Sequence, residues 1–226
     1  MERALVSNTF WIWHHIVVGD LTPEEGFSRF DELIAAMPDL FAVASICGFA
    51  ATMAVTMGRW EETDRYARIG IEAGAGGQFA FWDGQFLMHR GIVLAGRGRA
   101  EEAIASFVEG EGRYTGIGGR SAVATFRASL TLQLVSQGRT EDAEPWARAA
   151  RAELDTYNER WNEPIVLMAE AAVAGARGDK EEAAELYACA IDAATLQGSQ
   201  ARAERARALA RQSPGAPAEA RSPGLS

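Results

Sequence analysis

Apolar and polar positions along this chain alternate in long blocks. Four mostly apolar blocks cover residues 40–57, 79–97, 121–137 and 164–177. Each ends at a glycine, and each glycine opens an amphipathic block that begins with paired acids: GRWEETDRYA at Gly58, GRAEEAIASF at Gly98, GRTEDAEPWA at Gly138 and GDKEEAAELY at Gly178. The four glycines stand 40 residues apart. Three and four positions after each glycine lie Glu61 and Glu62, Glu101 and Glu102, Glu141 and Asp142, and Glu181 and Glu182. Acids in a first helical turn complement the helix dipole, so each phrase predicts a tight turn followed by a helix start.

Small residues mark the same register in every copy. Thr63, Ala103, Ala143 and Ala183 follow the glycine by five positions, and Gly70, Gly110, Ala150 and Ala190 follow it by twelve. Seven positions make two helical turns, so the two sets share a face. An aromatic residue lies between them: Tyr66, Phe107, Trp146 or Tyr187. Seven positions before the glycine come Ala51, Gly91, Thr131 and Ala171, small again. The unit is thus a long apolar helix, a glycine turn and an amphipathic helix whose small face admits a close neighbour. Looser loops such as Gly74–Gly77 and Gly116–Gly119 join the units. A fainter first copy begins at Gly19, where Thr22, Pro23 and Glu25 form a helix-start pattern with a capping box.

The pattern predicts an all-α chain of five helical hairpins, with glycine turns at Gly19, Gly58, Gly98, Gly138 and Gly178. A capping helix follows over Gln200–Arg211, and a disordered tail over 212–226. One hairpin cannot bury its own apolar face and a stack can, so residues 1–211 are expected to form one right-handed α-solenoid. The last helix carries Arg202, Glu204, Arg205, Arg207 and Arg211 and suits a polar cap. The first helix gathers Phe10, Trp11, Ile12, Trp13, Ile16, Val17 and Val18, more than one face can hide.

Composition changes the picture in a few places. A net charge of −9 and a pI near 5.0 argue against a general nucleic-acid or anionic-membrane binder. Cys47 and Cys189 fall in helical patterns and read as two small buried thiols. Leu40–Met57 has no charged residue and matches a membrane span in length, but its place in the repeat favours a buried helix. The N-terminus lacks the basic-then-apolar order of an export signal, so a cytoplasmic location is expected.

The glycine, acid-pair and small-residue pattern resembles the tetratricopeptide repeat in a long, 40-residue form. From Gly58 to about Arg211 the chain is also similar to the C-terminal repeat region of bacterial class III adenylate/guanylate cyclases fused to an AAA-type ATPase, and to repeats of ATP-dependent transcription activators. Phe81-Trp82, Gly91, Gly98-Arg99, Glu159-Arg160-Trp161, Glu163, Gly178-Asp179 and Gln197-Gly198 carry the likeness. The resemblance implies a non-catalytic interaction or regulatory module. No cyclase domain and no P-loop motif occurs in these residues, so the catalytic functions of such proteins do not carry over. The chain is then either a free-standing repeat protein or the detached end of a longer one.

Candidate chemistry is sparse. His14 and His15 are helix neighbours about 100° apart and do not chelate one ion as residues four apart do; His89 is the remaining histidine. The glycine loops GAGGQ and GIGG follow no strand and lack a lysine partner. The acid pairs recur in every copy, unlike a catalytic dyad. No enzyme activity, cofactor or metal is expected.

The leading expectation is a scaffold that holds a protein or peptide on the face of its apolar helices. In the tetratricopeptide register, Ser45, Thr52, Thr56, Gln85, Met88, Thr125, Ile165 and Met168 line that groove. The alternative is a sensor that takes a small molecule or signalling peptide into the superhelix. Trp146 is expected in the core, with Trp82 and Trp161 packing between layers. Trp11 and Trp13 on the first helix are expected to form a terminal docking surface, for a homodimer contact or an upstream domain.

Overall fold

The computed structural model describes residues 2–74 and 79–212. Residues 75–78 of the first glycine loop and the expected tail from 213 onward lie outside the described residues. All regular structure among the described residues is helical: α1 (Glu2–Val18), α2 (Pro23–Ala36), α3 (Leu40–Met57), α4 (Trp60–Ala73), α5 (Ala80–Gly96), α6 (Ala100–Gly116), α7 (Val123–Ser136), α8 (Thr140–Tyr157), α9 (Glu163–Arg177), α10 (Lys180–Leu196) and α11 (Gln200–Gln212). A single 3₁₀ turn, Arg160–Asn162, precedes α9. The described helices gather into two compact units, one of α1–α6 up to residue 121 and one of α7–α11 from residue 122.

The recurring glycines are explained by their backbone. Gly19, Gly58, Gly98, Gly138 and Gly178 all take positive φ, between 73° and 96°. A residue with a Cβ is strained there. At the last four of these glycines the turn closes the same way. Arg59 N donates to Ala54 O at 2.9 Å and Gly58 N to Val55 O at 3.1 Å; Arg139 and Gly138 repeat the pair on Leu134 and Val135. These bonds satisfy carbonyls that the helix end would leave open. Across the following first turn, Arg59 pairs with Glu62, Arg99 with Glu102 and Arg139 with Asp142. At Gly19 the predicted capping box forms: Glu25 N donates to Thr22 Oγ1 at 3.2 Å, and Thr22 N to Glu25 Oε2 at 2.9 Å.

In the first unit each helix packs on its sequence neighbour, and α1, α3 and α5 also touch in succession. The core gathers Ile12, Ile16, Phe27, Phe30, Ile46, Met53, Tyr66 and Phe86. The Tyr66 hydroxyl lies 3.1 Å from the Phe27 carbonyl and 2.9 Å from the Asp31 carboxylate. The backbones of α5 and α6 approach closely. A Cβ on Gly84 would meet Gly110 O at 2.9 Å, and one on Gly91 would meet Ala103 O at 2.7 Å. Two of the predicted small positions thus face glycines across this hairpin. Helix α3 is long and apolar enough to cross a membrane by composition, with mean hydropathy 1.9, and 67% of it is buried inside the chain.

The second unit packs α7, α8, α9 and α10 around Ala124, Ala128, Ala150, Leu154, Ile165, Met168 and Tyr187, and α11 rests on α9 and α10. The capping helix turns Arg202 inward. Arg202 is buried, donates to Trp161 O at 2.6 Å, and holds its guanidinium carbon 5.0 Å from the Trp161 ring centre. Burial pushes this guanidinium down to about 10. Two expectations are corrected. Trp146 is half-buried rather than core, because the next residue, Ala147, takes the buried position on α8. Cys189 is exposed on α10, whereas Cys47 is buried and its thiol is pushed up to about 12.

Candidate functional site

The expected groove residues lie mostly in the interior, so the groove assignment is corrected. Thr52, Thr56, Gln85, Met88, Thr125, Ile165 and Met168 are all buried, and only Ser45 is partly exposed. Ser45, Thr52, Thr56 and Thr125 are satisfied from within. Thr52 Oγ1 donates to Gly48 O at 2.9 Å and also lies 3.2 Å from His89 Nε2. Thr56 Oγ1 donates to Met53 O at 2.8 Å, and Ser45 Oγ to Phe41 O at 2.8 Å. Thr125 Oγ1 donates to Asn162 Oδ1 at 2.5 Å. The physical reason is that α3, α5, α7 and α9 are apolar around most of their circumference, and such helices are buried on most faces.

His89 is fully enclosed, and burial pushes its imidazole down to about 3. It is therefore neutral at physiological pH and has no access to an outside ligand. His15 Nδ1 lies 2.9 Å from Asp20 Oδ2, and the His14 ring stands edge-on to His15 at 5.3 Å. Among the described residues no group of three His, Cys, Asp or Glu side chains is placed to hold a metal ion.

The first helix divides its aromatic residues between two faces. Trp11 is 46% exposed, with the His15 ring 4.1 Å away and the Arg29 guanidinium 5.2 Å over its own ring. Trp13 is half-buried and meets Phe49 edge-on at 6.4 Å. The two tryptophans do not form one docking face, because α1 has both α2 and α3 as neighbours.

An exposed aromatic strip was not anticipated as a unit. Phe49 on α3 is its hub, with Phe10 of α1 at 5.1 Å and Trp82 of α5 at 5.5 Å, both edge-on. Two turns earlier on α3, Phe41 meets Phe79 at 5.3 Å. Phe81 continues from Trp82 at 4.8 Å. Phe10 is 52% exposed, Phe41 50% and Phe81 40%. Trp82 itself is buried flat against α3, where a Cβ on Gly48 would lie 2.3 Å from its ring. The available signal was the spacing of Phe41, Ser45 and Phe49, which places three residues on one side of a helix without charge.

A shallow crevice of about 510 Å³ lies at the α9–α10 turn, lined by Gly178, Asp179, Lys180, Glu181 and Glu182. Its walls are the charged start of a helix, unlike the apolar enclosure that small organic ligands use. No protein-family model matches the chain, and no curated protein matches it.

Proposed function

We propose that this chain is a non-catalytic interaction scaffold, a tetratricopeptide-like α-solenoid that presents helix faces to a protein partner. The observation that carries the reading is the aromatic strip over α1, α3 and α5. Its rings pair in two groups, Phe10–Phe49–Trp82–Phe81 and Phe41–Phe79, and are about half open to solvent at Phe10 and Phe41. Contiguous exposed apolar surface on a folded chain is typical of association sites. The glycine turns at a 40-residue spacing, and the packing of each helix on its sequence neighbours within each unit, support the solenoid reading.

The test is photo-crosslinking in cells that produce the chain. A photoreactive phenylalanine analogue replaces Trp11, Phe41, Val108 or Leu196, four exposed positions across both units. Discrete protein adducts at one or more positions are expected. No adduct at any position would reject the scaffold. ATP hydrolysis or cyclic-nucleotide formation by the purified chain, abolished by one acidic substitution, would reject the non-catalytic reading.

A further inference from the structure

We propose that the aromatic strip docks a basic amphipathic helix of a partner protein; this inference rests on the scaffold reading. The strip is an apolar surface whose own segments carry charge of one sign. Over residues 8–18 of α1, 39–57 at α3 and 79–89 at α5, the charged side chains other than histidine are Asp39 and Asp83. Both adjoin the rings. Asp39 caps α3 by accepting from Phe41 N at 3.0 Å, and Asp83 follows Phe79 by one helical turn. Arg113, the cation that acts on Asp83, is already paired with Glu109. Residues 1–121 carry 16 acids against 10 bases, a net −6, so the field around the strip has the same sign.

This arrangement selects among occupants. In a two-fold dimer the same patch faces itself, and the patch segments hold no lysine or arginine to meet Asp39 and Asp83. An anionic lipid surface would repel them. An amphipathic helix with apolar anchors three and four residues apart matches the contact instead. Phe41 and Phe49 span about 12 Å along α3, about two helical turns, and Phe10 and Trp82 flank Phe49 on either side. Lysine or arginine beside those anchors would meet the two carboxylates, steering the encounter and fixing orientation.

The experiment uses the full chain and two synthetic 14-residue helices, one of leucine and lysine and one of leucine and glutamate in the same pattern. Fluorescence anisotropy of the labelled leucine/lysine peptide is expected to saturate. Its affinity should fall at least tenfold in the Phe10→Ser/Phe41→Ser double variant. Asp39→Asn/Asp83→Asn should weaken binding and flatten its dependence on salt; asparagine still caps α3, so folding is retained. If the phenylalanine variant loses helicity by circular dichroism, the aspartate pair decides alone. Equal binding of the leucine/glutamate peptide, or binding indifferent to both variant pairs, would overturn the proposal. So would self-association in sedimentation, or adsorption to phosphatidylglycerol vesicles, that disappears with the phenylalanine change. Crosslinked partners that persist in that variant would leave the scaffold reading standing while removing the strip from it.

Discussion

The close approach of α5 and α6 can be measured with two glycines of one helix. Gly110 and Gly112 both lie inside α6, two residues apart. A Cβ on Gly110 would sit 2.6 Å from Gly84 O, 2.7 Å from Leu87 Cβ and 2.7 Å from Met88 N. A Cβ on Gly112 would meet nothing within 4 Å. Alanine at either site gains the same helix propensity, about 1 kcal/mol over glycine. That gain cancels in the comparison and leaves the contact. Two of the three atoms facing Gly110 belong to the α5 backbone and cannot turn away, so relief requires moving the helix. Such overpacking costs about 1–3 kcal/mol. Gly112→Ala should therefore stabilise the chain, and Gly110→Ala should lie about 1–3 kcal/mol below it. At this chain length each kcal/mol is worth about 2–4 °C in Tm. Thermal and urea unfolding followed by circular dichroism at 222 nm read the difference. Equal midpoints for the two alanine variants would show that the helices are not held at this distance.

Two further predictions rest on single residues. Ala122, ahead of α7, takes φ 64°, a left-handed conformation that costs a residue with a Cβ about 1–2 kcal/mol, so Ala122→Gly should raise the unfolding midpoint despite the added chain entropy of glycine; a lowered midpoint would contradict this. Burial holds His89 near 3, whereas the unfolded imidazole titrates near 6.5, so between those values the unfolded chain binds a proton that the folded chain refuses. Stability is then full above about 6.5 and is lost as pH falls toward 3. The loss by pH 5 is about 2 kcal/mol, which urea titrations at pH 7 and pH 5 should show for the natural chain but not for His89→Gln.

Helix limits were legible in the sequence to within a residue or two where a glycine or a capping residue ends the apolar run. α3 occupies Leu40–Met57 as read from the pattern, and α9 begins one residue earlier than expected. The glycine turns and small positions were legible because backbone geometry and close packing each restrict the residue type. Exposure was not. Threonine reads as polar, but Thr52 and Thr56 satisfy their hydroxyls on their own helix, so they enter the interior at little cost. Arg202 read as part of a polar outer face, yet the Trp161 carbonyl and ring give it an interior partner 41 residues away. Neither pairing can be read from a letter or a period, because each depends on how one hairpin meets the next.

One register position shows why the repeat identifies packing better than binding. Nine residues before the turn glycines stand Phe10, Phe49, His89, Ser129 and Ala169. Phe10 and Phe49 are in ring contact, and Phe10 is half open to solvent. His89, Ser129 and Ala169 are fully buried. Seventeen residues before the glycines the series is Phe41, Phe81, Ser121 and Trp161: two exposed rings, then a residue outside any helix, then the ring that holds Arg202. The residues that keep their type from copy to copy, the glycines and the small pairs, are those that make hairpins fold. At positions where type changes along the same register, neighbouring copies meet different surroundings, and the exposed rings cluster where α1, α3 and α5 adjoin. A function specific to this chain is therefore to be sought at the positions where the repeat fails to repeat.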